Sequence, residues 1–387
     1  MPALSSRAAA MEPFRVMQVL ARAQALEAAG RDVIHLEVGE PDFPTPEAVL
    51  AAAAKATESG RVRYTPAHGT VALREAIAAD YRRLYGLAID PERVVVTSGA
   101  SAAILLALAA AADAGDSVLL PDPGYACNRH FVTTLGAQPV LVPVPAESGF
   151  QPTAAQIAAA WRPDTRAVML ASPANPTGTL LAPDELTAIA EFVSERNGVL
   201  IMDEIYGRLV FDRPAETALA RVPNAVILNS FSKYCAMTGW RLGWMVVPEN
   251  WIEPVRRLAQ NLFVAPPTVA QEAALAAFAP ETEALLQQRV QELRARRDYL
   301  LEALPGLGLE LRSRPEGAFY LYADSRAHGP DSEALCERIL LEAGVALTPG
   351  TDFSPSGGRD HIRIAYTQPR DRLEEAVSRL RPVLIKR

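Results

Sequence analysis

Residues 225–247 read AVILNSFSKYCAMTGWRLGWMVV. The two apolar runs at 225–228 and 242–247 predict strands, and the segment between them carries Lys233 and Arg241. Unbroken apolar runs are typical of strands that are covered on both faces, whereas a half-exposed strand alternates apolar and polar residues. We therefore expect Lys233 to follow the end of a buried strand.

The same pattern of unbroken apolar runs recurs through the middle of the chain. Five more short apolar runs alternate with helical segments, at 94–97, 118–120, 139–142, 167–171 and 198–202. Alternation of strands and helices predicts an α/β fold, with a largely parallel central sheet and helices on both of its faces. In such sheets, ligands bind beyond the carboxyl ends of the strands.

The pattern changes near Glu281. A charged amphipathic helix at 281–304 is followed by short strands at 317–324 and 361–366 and by two more helices, which indicates a smaller α+β domain. The N-terminal segment 14–29 is helical and ends at Gly30. The predicted organisation is an N-terminal helical segment (1–38) that packs with the small domain, a large domain (39–280) and a small C-terminal domain (281–387).

Composition narrows the classes of function. The chain has 387 residues and a net charge of −7, without a Lys/Arg-rich run, which disfavours a nucleic-acid partner. Neither a signal peptide nor an apolar run of 18 residues is visible, so no membrane partner is expected. Cys127, Cys235 and Cys336 lack CxxC spacing, and the five histidines lack ligand spacing. We expect a cytoplasmic protein without disulfide bonds or a metal site.

Lys233 and Arg241 suggest covalent chemistry beside an anion. Burial lowers the pKa of an amine, and a neutral amine can condense with an aldehyde. The guanidinium fork of Arg241, set between Trp240 and Leu242, suits a phosphate dianion. Taken alone, a lysine is more often a solvated surface residue, and the arginine fits a structural ion pair equally well.

Polar residues also follow the other predicted strands. Asp203 ends one strand, and its carboxylate suits a protonated ring nitrogen, although a helix N-cap explains it too. The phenol of Tyr206 could bond a ring oxygen. Asn175 lies in SPANPTG, where turn formation alone is a sufficient explanation.

Two further segments suit a planar ligand that carries a phosphate. VVVTSGAS runs from a strand through Gly99 into an apolar helix, whose free N–H groups could bind phosphate with help from Ser101. Tyr125 follows another strand end and could stack on a planar ring. Helix capping and core packing are the plainer explanations of these two features.

Together, SFSKYCAMTGWRLGW, DEIY and ANPTG resemble the motifs of fold-type I pyridoxal-phosphate (PLP) enzymes of the class I/II aminotransferase family, which are aspartate aminotransferase-like. The resemblance extends from VGEPDF at 38–43 to HIRIAY at 361–366. It implies PLP as cofactor, amino acids and 2-oxo acids as substrates, a ping-pong reaction and a homodimer with shared active sites.

The resemblance also implies a role for each matching residue. Lys233 would form the internal aldimine and move the proton between Cα and C4′. Asp203 would pair with the pyridine nitrogen, and Tyr206 and Asn175 would bond the ring oxygen. The remaining implied roles are phosphate binding (Ala100, Ser101, Ser230, Arg241), ring stacking (Tyr125), phosphate binding in the partner subunit (Tyr64) and binding of the substrate carboxylate (Arg363, the Gly39 N–H and Asn175).

The side-chain specificity is left open. No second arginine is clearly placed for a dicarboxylate, and Arg15 and Arg129 are the candidates. Acidic, neutral and aromatic amino acids all stay possible, and segments near Phe14 and Asn128 are expected to line the pocket.

Three alternatives to an aminotransferase differ in how well the sequence supports them. A C–S lyase or another β/γ-eliminating enzyme would use the same residues. A PLP-fold regulator module is disfavoured, because the segment ahead of VGEPDF is too short for a winged helix. A nicotinamide-binding enzyme is disfavoured, since no GxGxxG follows a strand.

Overall fold

The computed structural model describes residues 4–9 and 11–385. Its helices in this part of the chain are α1 Ser6–Ala9, α2 Arg15–Ala28, α3 Glu47–Glu58, α4 Val71–Tyr85, α5 Ala100–Ala111, α6 Cys127–Thr134, α7 Ala154–Ala160, α8 Pro183–Ser194, α9 Ile252–Phe263, α10 Thr268–Leu275, α11 Pro280–Ala303, α12 Ser332–Ala343 and α13 Arg370–Leu384. Its strands are β1 Ile34–His35, β2 Val94–Thr97, β3 Ser117–Asp122, β4 Gln138–Pro143, β5 Thr165–Ala171, β6 Val199–Asp203, β7 Val226–Ser230, β8 Gly243–Val246, β9 Tyr320–Asp324, β10 Val345–Ala346, β11 Thr348–Pro349 and β12 His361–Ala365.

Seven strands form the central sheet in the order β2-β8-β7-β6-β5-β3-β4. The neighbours from β7 to β4 pair in parallel, and β8 alone runs against them. Alternate residues of a strand enter opposite core clusters. In β5, Val168 and Leu170 belong to one cluster, and Ala167 and Met169 belong to the other. Burial of both faces explains the unbroken apolar runs, and the predicted α/β class is confirmed.

The topology gathers several strand ends at one edge of the sheet. Strands β2, β3, β5, β6 and β7 run in the same direction, so their carboxyl ends lie side by side. Asp203 ends β6, and Ser230 ends β7 three residues before Lys233. This edge is where a parallel sheet places a ligand.

A smaller antiparallel sheet has the order β11-β12-β9. Its register sets Arg363 of β12 beside Tyr322 of β9 and Thr348 of β11. The N-terminal helix α2 packs beside this part of the molecule, and Ala23 shares a buried cluster with Leu340. The predicted helix 14–29 is one residue longer at each end than α2, and Gly30, with a φ of 87°, follows it as expected.

No helix among the described residues is both long and apolar enough to cross a membrane.

Candidate active site

A cavity of about 230 Å³ opens at the carboxyl edge of the central sheet. It brings together ten of the residues that the sequence singled out, namely Gly39, Ala100, Ser101, Tyr125, Asn175, Asp203, Tyr206, Lys233, Arg241 and Arg363. Arg363 comes from the small sheet, whereas Asp203 ends a strand of the large sheet and Lys233 follows another strand of it. The cavity therefore lies between the two sheets.

The amine of Lys233 lies on the floor of this cavity. Its Nζ donates a hydrogen bond to the Gly39 carbonyl at 2.6 Å. Burial lowers the pKa of this amine from 10.5 to about 8, while the negative charge of Glu40 acts in the opposite direction. A substantial fraction of the amine is thus neutral near physiological pH, which is the form that attacks a carbonyl carbon.

Asp203 presents a buried carboxylate at the end of β6. Only 7% of the residue is exposed, and Oδ1 accepts a hydrogen bond from the Ile205 N–H at 3.0 Å. Burial raises its pKa from 3.8 to about 6. A cationic group in the cavity would stabilise the ionised form and lower this pKa again.

The start of α5 forms an anion cradle. Gly99 is the N-cap with a φ of 82°, and no side chain caps the first turn. A Cβ atom at this position would lie 2.6 Å from Nη2 of Arg241, so glycine is required both for the backbone and for the approach of the guanidinium. Free N–H groups, the helix dipole and Arg241 together favour a phosphate group.

Arg363 and Asn175 meet across the cavity. Nη1 of Arg363 donates to Oδ1 of Asn175 at 2.9 Å, and Nη2 donates to the Glu37 carbonyl. Nε is buried and has no hydrogen-bond partner among the described residues. The guanidinium lies between the rings of Tyr320 and Phe353, which are 4.3 and 4.5 Å from it. Two hydrogen bonds and two rings therefore hold the guanidinium of this cavity-lining arginine, and its planar fork suits an anionic ligand.

Tyr320 is a cavity residue that the sequence did not single out. Its hydroxyl forms a hydrogen bond of 2.8 Å with the hydroxyl of Tyr206. A Cβ atom at residue 39 would lie 1.7 Å from the same oxygen, which explains the glycine there. The strand pattern of 317–324 predicted burial of this tyrosine but contained no signal for its partner 114 residues earlier.

Two of the expected phosphate ligands lie outside the cavity wall. The hydroxyl of Ser230 lies within hydrogen-bond distance of Oγ of Ser232 (2.9 Å) and of the Leu242 carbonyl (3.1 Å), and Ser232 lines the cavity instead. Tyr64 is 87% exposed and lies on a loop away from this cavity. The roles of Ser230 and Tyr64 stay predictions. Tyr125 lines the cavity and packs edge-on against Phe14 at a centroid distance of 6.2 Å.

The residues present fit PLP, an aldehyde that carries a pyridine ring and a phosphate. A neutral amine suits the aldehyde, a buried carboxylate suits the ring nitrogen, and the start of α5 with Arg241 suits the phosphate. The three groups lie at the ends of different strands of the central sheet: the start of α5 follows β2, Asp203 ends β6 and Lys233 follows β7. The fit therefore depends on the fold and not on a single motif.

Comparison with known proteins identifies the family. The family model "Aminotransferase class I and II" matches residues 31–380. A valine–pyruvate aminotransferase of Mycobacterium tuberculosis is 41% identical over 96% of both chains. An aspartate/prephenate aminotransferase of Thermus thermophilus is 37% identical over 99% of both chains.

Solved structures agree with the sequence relatives. A crystal structure of an aminotransferase from Mycobacterium tuberculosis superimposes with a TM-score of 0.96 at 40% identity, and the match covers 99% of both chains. The Thermus thermophilus aspartate aminotransferase with maleate gives 0.93 at 36% identity, over 99% of this chain and 100% of that one. The chain thus belongs to the class I and II aminotransferase family and is a PLP-dependent enzyme that transfers amino groups between amino acids and 2-oxo acids.

Proposed function

We propose that Lys233 binds PLP covalently and carries the proton during amino-group transfer. The observation that carries this proposal is the juxtaposition, in one cavity, of a half-buried amine with a lowered pKa, a buried carboxylate and an anion cradle. When bound, PLP supplies a pyridinium ring that withdraws electrons from the substrate Cα.

The chain's own residues would hold that ring in the state that the reaction needs. Asp203 would keep the ring nitrogen protonated, because a buried carboxylate is stabilised by an adjacent cation. Tyr206 and Asn175 would donate hydrogen bonds to the ring oxygen. Lys233 would move a proton between the substrate Cα and C4′ of the cofactor, and a general base of this kind contributes about 10²- to 10⁴-fold to a rate.

Arg363 would bind the substrate α-carboxylate, with help from Asn175 and the backbone N–H of Gly39. A bidentate contact fixes the substrate in one orientation, which selects the bond to Cα that stands perpendicular to the ring. The rings of Tyr320 and Phe353 on either side of the guanidinium favour a single orientation of this arginine.

Single turnover with PLP-loaded protein tests the proposal and separates transfer from elimination. Transfer predicts conversion of the cofactor to its pyridoxamine form, with release of one equivalent of 2-oxo acid. Elimination predicts pyruvate and ammonia in repeated turnovers without an acceptor. Lys233→Ala should abolish the conversion, and the exposed Lys55→Ala should leave it unchanged. Full turnover by Lys233→Ala would contradict the assignment.

We propose further that the enzyme is a homodimer with shared active sites. Tyr64 is 87% exposed, and Val62, Leu262 and Val264 are each more than half exposed. The loop of Tyr64 is fastened to the body of the chain, since Thr268 donates to the Arg63 carbonyl and Gln271 to Thr65. A fixed loop with an exposed aromatic tip is suited to reach the phosphate site of a second copy.

We also propose that the protein is cytoplasmic. The three cysteines are unpaired, which suits a reducing compartment.

We propose further that the chain is divided into an N-terminal segment (1–38), a large domain (39–280) and a small domain (281–387). The pairing of β1 with β10 supports the packing of the N-terminal segment with the small domain. Limited proteolysis should cut at the exposed residues 280–281 before it cuts the central sheet.

A further inference from the structure

Part of the lining of the cavity is apolar. It is formed by Phe14, Val16 and Met17 at the start of α2, by Val38 and by Ile104 of α5. We call these five residues the apolar wall. The charged residues that line the cavity, among those described, are Asp203, Lys233, Arg241 and Arg363, and each already has a proposed role. Within the described part of this chain, no further charged side chain lines the cavity to bind a second substrate carboxylate.

Both candidate arginines point to other partners. Nε of Arg15 lies 3.0 Å from Oε1 of Glu333, and Nη2 of Arg129 lies 3.4 Å from Oε2 of Glu12. Nη1 of Arg129 donates to the Asp352 carbonyl at 3.2 Å. Both arginines therefore fasten the N-terminal segment, and neither lines the cavity.

The start of α2 is held by a residue far away in the chain. Phe14 occupies the N-cap position, where its side chain offers no acceptor for the free N–H groups of the first turn. The carboxylate of Asp352 replaces that acceptor. Its Oδ1 accepts from the Arg15 N–H at 3.0 Å, and its Oδ2 accepts from the Val16 N–H at 3.4 Å.

Asp352 is well suited to this task because it is itself fixed. The residue is 1% exposed and ends a short 3₁₀ turn, Gly350–Asp352, which follows β11. The next residue, Phe353, packs in one buried cluster with Val16 and also lies against the guanidinium of Arg363. One turn of the small sheet therefore positions both the apolar wall and the arginine.

We propose that Asp352 is a positioning residue, which holds the apolar wall against the side chain of an aliphatic or other apolar amino-acid substrate. The proposal rests on the proposed function, because it assumes that Arg363 fixes the α-carboxylate and Lys233 the cofactor. From that anchor, the binding of a short side chain such as that of alanine does not depend on the apolar wall. The binding of a side chain of three or four carbons depends on contact with the apolar wall.

The test compares kcat and KM for alanine, 2-aminobutyrate, norvaline, leucine and aspartate in the PLP-loaded enzyme. The wild type should prefer leucine or norvaline to aspartate. Asp352→Ala should raise the KM for leucine about tenfold and change the KM for alanine less than twofold. One methylene group in a hydrophobic pocket changes the discrimination between substrates by about 10- to 200-fold. Asp352→Asn retains one acceptor oxygen and should recover part of the loss.

Hydrogen exchange supplies a readout that does not depend on turnover. The amides of residues 15–17 should exchange faster in Asp352→Ala than in the wild type, and those of the central sheet should not. The matched control is Glu337→Gln, which removes an exposed ion pair between α12 and Arg22 of the same helix α2. It should alter neither KM nor the exchange of residues 15–17.

Two results would overturn the proposal. One is an equal fall in kcat/KM for alanine and leucine, or no fall for either, in both Asp352 variants. The other is a wild-type preference for aspartate. Failure of the proposed function would look different, because alanine turnover and covalent labelling of Lys233 would then be missing in the wild type as well.

Discussion

Lys233 derives its proposed reactivity from its position at the end of a buried strand. Burial penalises the ammonium form, and the resulting pKa of about 8 lies well below the ordinary 10.5. The neighbouring charges of Arg363 and Arg241 act in the same direction, whereas Glu40 opposes them. A lysine on a solvated face would be almost wholly protonated at neutral pH and would react slowly with an aldehyde.

The first prediction concerns the pH dependence of cofactor capture. The rate constant for PLP binding to the cofactor-free chain should rise about tenfold per pH unit below pH 8 and level off above it, because the neutral amine is the reacting form. Stopped-flow absorbance in an amine-free buffer measures it, with N-acetyl-lysine methylamide as the reference for titration of PLP itself. A rate that follows the reference up to pH 10 would contradict the lowered pKa.

The second prediction concerns the geometry of Arg363. Arg363→Lys keeps the positive charge but loses the planar fork, so kcat/KM for every amino acid should fall by about 100-fold or more. The absorption spectrum of the bound cofactor should not change. A fall smaller than fivefold would show that charge alone suffices and that the bidentate contact is unnecessary.

At the residue scale, local motifs predicted most of the polar residues that line the cavity. Lys233, Asp203 and Asn175 could be picked out because each follows a predicted strand. Tyr320 and Asp352 could not, because their partners lie more than 100 residues away and no local pattern records such contacts. Asp203 is not a helix N-cap, because a turn and no helix follows it; its Oδ1 accepts from the Ile205 N–H of that turn, and the residue also lines the cavity.

At the scale of elements, the turn that follows β6 carries a second buried carboxylate. Glu204 is 3% exposed, and its Oε1 accepts from the Ala218 N–H at 2.7 Å and from the Thr217 hydroxyl at 3.2 Å. Burial raises its pKa from 4.5 to about 7. Between these values the native chain binds a proton that the unfolded chain has lost, so the free energy of unfolding falls as the pH rises.

The third prediction follows from this decrease in the free energy of unfolding with rising pH. Glu204→Gln keeps an oxygen acceptor and carries no charge, so its free energy of unfolding relative to the wild type should increase by about 2 kcal/mol between pH 5 and pH 8. Urea unfolding at the two pH values measures the difference. The exposed Glu191→Gln is the control. An unchanged difference would mean that Glu204 is already ionised at pH 5.

Element boundaries were predictable where both faces of a strand are buried. Strand β2 coincides with the expected 94–97, and β5 extends the expected 167–171 by two residues. The order of the strands was not predictable, because the periodicity of a strand says nothing about its neighbours. The insertion of β8 between β2 and β7, against the direction of both, appears only in the structure.

At the scale of the whole molecule, the family assignment leaves the substrate unsettled among its relatives. One relative is named for valine and pyruvate, and another is named for aspartate and prephenate. These two relatives, which are 37–41% identical to this chain over nearly its whole length, are thus named for different amino acids. The proposed positioning role of Asp352 bears on which substrate side chains this chain accepts.

The fourth prediction tests shared active sites by mixing subunits. Tyr64→Ala and Lys233→Ala homodimers should each lose most of their activity at limiting PLP. When the two chains are co-expressed, one site of each heterodimer joins an intact Lys233 to an intact Tyr64 of the other chain. Activity should then recover to about a quarter of the wild-type value. No recovery would show that Tyr64 acts in its own subunit or has no role.

The most direct test of the central claim is the identity of the residue that holds PLP. The sequence contains three lysines, Lys55, Lys233 and Lys386, so borohydride reduction of the loaded protein and peptide mapping give an unambiguous answer. We predict one pyridoxyl group per chain, on Lys233. A label on either of the other lysines, or no label at all, would contradict the account.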